Sequence, residues 1–448
     1  MEMNKRTKNL GEEAILPLLI KLSLPAIVGM AIQALYNVID SIYIGRLSTE
    51  GLAALSLSFP IQMVLIALAV GTGIGASSLI SRSLGANDTK KANNVAVHVM
   101  IITLLYALII GVIGFFFSEE LFSFFSNDPK LIELGVPYIR IIMTGSLALF
   151  FPMIANSILQ GEGNTIAPML TLLVGAILNI IIDPLLIFGL GPFPALGIKG
   201  AAYATVLARI ISGLFIGYII FSDKNQIKVS LKNFKLDWEV IVEIYQVGLP
   251  AIVMQLLASI MIAGVNIIVE VYDPIAVAVV GIYFRLQSFV FMPVYGLKQG
   301  FLPLFGYNYG HNKPKRMKEA IQWTIFVAFL FTTAGFLLFQ FFPSRLILLF
   351  NKDERLLEIG ITALKRISLA FPLIGPAIVG SSIFQGLGKG LPSLIISFLR
   401  QIVLLLPIMY LLGRFYGLAP LWFAFPISEL ISVIIMSFLL AKEFRRIF

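Results

Sequence analysis

Residues 23–45 read SLPAIVGMAIQALYNVIDSIYIG, an apolar run interrupted by one carboxylate at Asp40. About 20 mostly apolar residues is the length that crosses a bilayer as a helix. An acid at the centre of such a helix costs roughly 2.5 to 3.5 kcal/mol by insertion scales, so a chain that keeps one is expected to use it. The rest of the chain repeats the pattern. Of 448 residues, 58% are hydrophobic and 13% charged, and mean hydropathy is +0.94. Soluble domains carry about 25% charged residues, so this composition is that of a polytopic membrane protein.

The sequence divides into about twelve apolar segments separated by short clusters of Gly, Pro, Asn and charge. These predicted spans, numbered 1 to 12, are 15–44, 52–80, 93–117, 136–160, 166–190, 199–221, 240–270, 276–306, 320–342, 360–386, 391–413 and 416–440. All are expected to be helices, because backbone facing lipid must satisfy its hydrogen bonds within the segment and the runs are too long for barrel strands. The first run is too long for a signal-peptide core and has no small-residue cleavage site, so it reads as a retained span. No soluble domain is expected. The chain has no cysteine, which excludes disulfides, thiolate chemistry and cysteine-ligated metal.

The net charge of +9 follows topology. Basic clusters occur at Lys5, Arg6 and Lys8; at Arg82, Lys90 and Lys91; at Lys224, Lys228, Lys232 and Lys235; at Lys313, Lys315, Arg316 and Lys318; and at Lys442, Arg445 and Arg446. With twelve spans all five fall on one side, which the positive-inside rule makes cytoplasmic, placing both termini inside a cell membrane. Nucleic-acid binding is a poor reading of these bases, since no aromatic platform is interleaved with them.

LPAIV at Leu24–Val28 returns at Leu249–Val253, 225 residues later. The same offset pairs Phe59 with Phe284, Gln62 with Gln287, Gly71 with Gly296, Gly75 with Gly300, Gly85 with Gly310 and Asn87 with Asn312. FSNDPKLIELG from Phe125 aligns with FNKDERLLEIG from Phe350, and QGEG from Gln160 with QGLG from Gln385. Each half then holds six spans, an even number, so the two repeats share one orientation and form parallel lobes. The expected organisation is a first lobe at 1–222, a cytoplasmic linker at 223–239 and a second lobe at 240–448. Parallel repeats with a site near the midplane are a transporter design.

Polar residues concentrate in the first lobe. In span 1, Asn37 and Asp40 are three apart and share a face, beside Tyr36 and Tyr43. In span 5, Asn179 and Asp183 are four apart, and Pro184 removes a helix hydrogen bond that leaves a carbonyl free. Both acids are placed in the outer half of the bundle. With Asn156 in span 4 and Thr205 in span 6 they would form an oxygen-rich pocket for a proton or a hard cation, including Na+ at Asp40, Asn179 and Asp183. The plainer readings are that Asp183 caps a loop and that Arg46 pairs with Asp40.

At the 225 offset Asp40 becomes Val265 and Asp183 becomes Ile408, so the second lobe lacks the acids. It has its own charges, Arg285, Lys298, Arg400 and Glu429, of which Arg400 and Glu429 are expected to pair and Lys298 to stand alone. Pro25 and Pro250, at equivalent places in the two lobes, are candidate hinges. GTGIGAS at Gly71 lies inside an apolar helix with no preceding strand, and no GK[ST] occurs, so direct ATP drive is unsupported. With His98 and His311 alone, zinc catalysis and histidine-based acyl transfer lack their groups.

SLPAIVGMAIQALYNVIDSIYIGRL, GASSLISRSLGANDTKKA, LNIIIDPLLIFGLG and GIKGAAYATV resemble the signature segments of the multidrug and toxic compound extrusion (MATE) transporters. GIYFRLQSF, PLFGYNYGHNKPKRMK and SFLRQ resemble its bacterial multidrug branch, and the resemblance covers nearly the whole chain. It implies a V-shaped pair of lobes exporting cationic amphipathic compounds in exchange for H+ or Na+. It also implies a coupling site at Asp40, Asn156, Asn179, Asp183 and Thr205. Members with an acid in span 7 differ, since this span offers Gln255 and Asn266. Tyr36, Asn37, Gln255, Arg285 and Lys298 are candidate cavity residues. The runner-up reading is a lipid-linked oligosaccharide flippase, which should place several basic residues in a central cavity. A membrane enzyme is the most distant. The expected partners are small organic cations and the bilayer, with no obligate protein partner and no cofactor beyond the coupling ion.

Overall fold

In the computed structural model, residues 5–222, 225–230, 232 and 234–447 are described, except for the side chains of Lys5, Arg6, Asn37, Val38, Ser41, Gly45, Arg46 and Thr49. The Asn37 and Arg46 expectations, and the Lys224 position in the linker, therefore lie outside the described residues.

All described regular structure is helical. Eleven helices are long and apolar enough to cross a membrane, and a bent pair supplies a twelfth span. Spans 1 to 3 are Ile15–Leu47, Thr49–Gly85 and Thr89–Ser123; spans 5 to 9 are Ile166–Phe188, Ile198–Ile220, Trp238–Glu270, Pro274–Gly310 and Pro314–Phe341. Span 12 is Ala424–Ile447. A short helix, Lys5–Glu12, precedes span 1.

Several helices outrun the predicted windows because polar residues just beyond the apolar runs cap them. Ser48 accepts from the Gly51 amide, and Asp88, Asp128, Asp237, Asp273 and Asp353 accept from first-turn amides in the same way. Asp128 and Asp353 are one repeat apart. Span 4 is not one helix: Pro129–Thr144 and Ser146–Gly161 meet at Gly145 with a 47° bend. In span 10, Glu354–Ile367 and Phe371–Gly386 are joined by a 3₁₀ turn, Ser368–Ala370, at the equivalent place. Span 11 is also interrupted, by a π-helical stretch at Leu399–Leu405 between Gly390–Phe398 and Leu406–Tyr416. Pro407 follows it and has no amide hydrogen to continue the regular ladder.

The duplication is visible in backbone detail. Among described non-glycine residues only Asn87 (φ 59°) and Asn312 (φ 52°) adopt positive φ, and Gly163 (φ 85°) and Gly388 (φ 80°) form a second pair at the same offset. Asparagine and glycine tolerate this left-handed geometry, which ends the preceding helix.

Contacts between the lobes are reciprocal. A Cβ on Gly85 would lie 2.0 Å from the Tyr307 carbonyl oxygen, and one on Gly310 would lie 2.0 Å from the Arg82 carbonyl oxygen. Gly71 faces Ile252 while Gly296 faces Ile27, the exchanged pair. Such exchange is the signature of a pseudo-twofold axis between parallel repeats.

One hydrophobic core runs through both lobes at the end carrying the basic clusters, joining Leu10, Ile80, Ile244 and Phe305. Toward the opposite end the cores separate, one around Ile139 and Phe150 in the first lobe, the other around Tyr283 and Phe371 in the second. The lobes thus meet at the basic end and have independent cores at the other.

Candidate functional site

The first-lobe site lies in the separated half, where spans 1, 5 and 6 pack together. Span 5 sets its centre. The helical spacing puts Asn179 and Asp183 on the face turned into the lobe, where Asp183 is fully buried and Asn179 nearly so. The Asn179 amide donates to Asp183 Oδ1 at 3.3 Å and to Thr205 Oγ1 of span 6 at 3.4 Å. Tyr36 of span 1 lies beside Thr205, and the Asp40 carboxyl faces that of Asp183. Burial of Asp183 inside the lobe sets aside the loop-cap reading.

Donors do not match acceptors here. Asp40 Oδ1, Asp183 Oδ2, Asn179 Oδ1 and Asn156 Oδ1 are buried and receive no hydrogen bond among the described residues. A carboxylate has no donor of its own, so two facing carboxyls pair only through a shared proton or a cation between them. Buried acceptors left unmatched are costly. Carboxylate, amide and hydroxyl oxygens together also suit a hard monovalent ion. Among the described residues no group of three or more His, Asp or Glu could hold a metal ion, so the negative charge at the site rests on two acids.

Of the remaining predicted residues, Asn156 is buried on the second half of span 4, and no hydrogen bond joins it to either acid among the described residues. Pro25 and Pro250 sit inside spans 1 and 7, close to the lobe contacts. Gln255 is half-buried on span 7, and Asn266 Oδ1 on that span is buried without a donor. Arg285 is exposed on span 8, and Lys298 is half-buried with no acid partner among the described residues. Arg400 does pair with Glu429, Nη1 to Oε2 at 3.2 Å, next to Tyr283. It lies on the π-helical stretch of span 11. The offset places Arg400 one turn before the position matching Asn179 and Glu429 next to the one matching Thr205, so the second lobe closes its own polar centre internally.

Three residues escaped the sequence reading. Tyr138 of span 4 lies beside Gln62 of span 2, near Asp40 and Tyr36. Neither carries a local signal, because their meeting is long-range. Arg209 of span 6 also lies near Asp40 and Tyr36. A lone arginine in VLARIISG, four residues after Thr205, was the available sign.

A family model described as MatE matches the chain twice, over residues 25–185 and 250–411. The chain belongs to the MatE family. The two matches begin at the same offset that relates the lobes. Members of this family are transporters and not enzymes. The chain is similar to the multidrug export protein MepA of Staphylococcus haemolyticus, 29% identical over 433 residues, or 96% of this chain and 94% of that one. It is also similar to the FAD transporter of Shewanella oneidensis, 28% identical over 416 residues, 92% and 91% of the two chains. Among solved structures, an outward-facing conformation of a multidrug resistance MATE family transporter of the MOP superfamily superimposes with a TM-score of 0.94 at 30% identity, covering 100% of this chain and 99% of that one. Membership in the MatE family accounts for the two lobes, the repeat and the multi-pass architecture together.

Proposed function

We propose that this MatE-family transporter is a secondary active multidrug exporter, carrying cationic amphipathic compounds out of the cell in exchange for H+ or Na+ by alternating access. The observation that carries this reading is the facing pair Asp40 and Asp183, set among buried oxygens that have no donor, in one lobe only. A proton or Na+ bound there removes the negative charge that would hold a cationic substrate, so the two ligands disfavour each other through one site. Reciprocal linkage then makes each drive the release of the other. The basic end is assigned to the cytoplasm by the positive-inside rule, with both termini inside the cell membrane. The separated half then opens outward. The relatives named multidrug export protein MepA support the multidrug part of this reading.

A second reading has its own support. Lys298 and Arg285, both on span 8, have no acid partner among the described residues, and one relative is named a FAD transporter, which suggests an anionic pyrophosphate-bearing substrate, as would a lipid-linked flippase. Uptake into inverted vesicles separates the two. A fluorescent organic cation and FAD would each be offered under separate proton and sodium gradients, with Asp40→Asn and Asp183→Asn beside wild type. Cation uptake driven by one gradient and abolished by both substitutions is the expected result. Cation uptake indifferent to both would remove the first-lobe coupling site, and uptake of FAD alone would bring the anionic reading forward.

A further inference from the structure

Span 6 brings a third charge to the first-lobe site. Arg209 follows Thr205 by four residues and so lies one turn along the same helix face, the face that Asn179 of span 5 reaches through Thr205. It is half-buried, and its neighbours are Asp40 and Tyr36 on span 1 and Tyr138 on span 4, with Asp183 on span 5 behind Asp40. Among the described residues its guanidinium has no ion pair and gives no side-chain hydrogen bond. An arginine within a span that makes no such contact is expensive, and its place within electrostatic reach of Asp40 gives it a role.

We propose that Arg209 is a tethered counter-ion of the coupling site, a positioning residue that fixes the site's charge so that one monovalent ion completes it. This rests on the reading that Asp40 and Asp183 bind the coupling ion. With both acids ionised the site carries two negative charges and Arg209 one positive charge, so a single H+ or Na+ brings the cluster to neutrality. A second ion would leave a buried net positive charge, which the low-dielectric interior disfavours. The guanidinium acts on Asp40 through space and forms no ion pair with it among the described residues, so it weakens ion binding without replacing the ion. Release on the far side of the membrane becomes easier. The acids of the first lobe are therefore set for exchange, whereas the contacting pair Arg400 and Glu429 in the second lobe is already closed.

The test is the ion dependence of transport in proteoliposomes for wild type, Arg209→Gln and Arg209→Lys, with a second neutral variant, Arg209→Met, so that poor folding of one does not end the test. Ion-induced proton release or Na+ binding by purified protein is measured alongside, without substrate. Both neutral variants should bind the ion about tenfold more tightly, moving the half-maximal pH upward by about one unit or lowering half-saturating Na+ about tenfold. Arg209→Lys should keep the wild-type midpoint. In an Asp40→Asn background the neutral substitution should add no further shift. Unchanged midpoints in both neutral variants, or a shift in the Lys variant as large as theirs, would overturn the assignment. If Asp40→Asn and Asp183→Asn themselves leave ion binding intact, it is the coupling-site reading that fails instead.

Discussion

Asn179 is the residue on which the first-lobe site turns, because one amide serves both Asp183 and Thr205. Alanine at this position removes the donor, leaves a fully buried carboxyl with one fewer partner and frees Thr205 from span 5. Groups that orient a ligand typically change ion affinity by about 10- to 100-fold when removed. Asn179→Ala should therefore raise half-saturating ion concentration by about tenfold or more while the protein still folds, measured by transport against ion concentration. An unchanged value would take Asn179 out of the site. The second lobe offers a contrasting case. Arg400 and Glu429 form a contact inside the membrane region, and removing one partner strands the other. Single substitutions Arg400→Met or Glu429→Leu should destabilise by about 3 to 5 kcal/mol, and the double substitution should recover most of that loss. Thermal melting in detergent checks the cycle. A double variant as unstable as the singles would mean that the pair does more than close a polar centre.

Helices meet at the basic end through glycines, and the geometry there leaves no room for a methyl group. At Gly85 and Gly310 the atom in the way is a backbone carbonyl oxygen of the opposite lobe, which cannot rotate aside as a side chain would. Gly85→Ala should push spans 2 and 8 apart and lower the melting temperature by several degrees, and Gly310→Ala should do the same because the contact is reciprocal. Equal melting of Gly85→Ala and wild type would show that the spacing is not constrained. The repeated glycines were legible in the sequence, as were the spans, since apolar runs about 20 residues long and a register held over most of the chain are local, additive signals. The interruptions were not. A 47° bend at Gly145 and a π-helical stretch around Arg400 depend on how neighbouring helices support a broken ladder. The site was legible in its acids, because charge in a span is expensive wherever it lies. Its surroundings on spans 2 and 4 were not, because Tyr138 and Gln62 become neighbours only when those spans pack.

Alternating access requires the lobes to part at the basic end when they close at the other, and ties across that end hold them together. Lys91 of the first lobe reaches Glu243 of span 7 at 2.6 Å. One repeat later, Arg316 of the second lobe reaches back to the Glu13 carbonyl at 2.7 Å and the Leu10 carbonyl at 3.3 Å, beside Lys313 on the Gly11 carbonyl. The two donors, Lys91 and Arg316, are one repeat apart and each reaches the opposite lobe, so each lobe holds the other. His98 adds a bond, its Nε2 accepting from the Asp237 amide ahead of span 7. The Lys91 arm is partly exposed, where an ion pair contributes about 1 kcal/mol or less, enough to change a two-state population about fivefold. Glu243→Gln should therefore raise the population open at the basic end. The chain's lack of cysteine makes the measurement direct, because spin labels can be placed one pair at a time. Labels at the exposed positions Lys90 and Lys315 report the basic end, and labels at Asn127 and Lys352 report the opposite end. In Glu243→Gln the first distance should lengthen and the second shorten together, since rigid lobes pivoting about a shared core cannot open both ends at once. Lengthening at the basic end with no change at the other would indicate fraying of the gate, and the lobes would then not move as rigid halves.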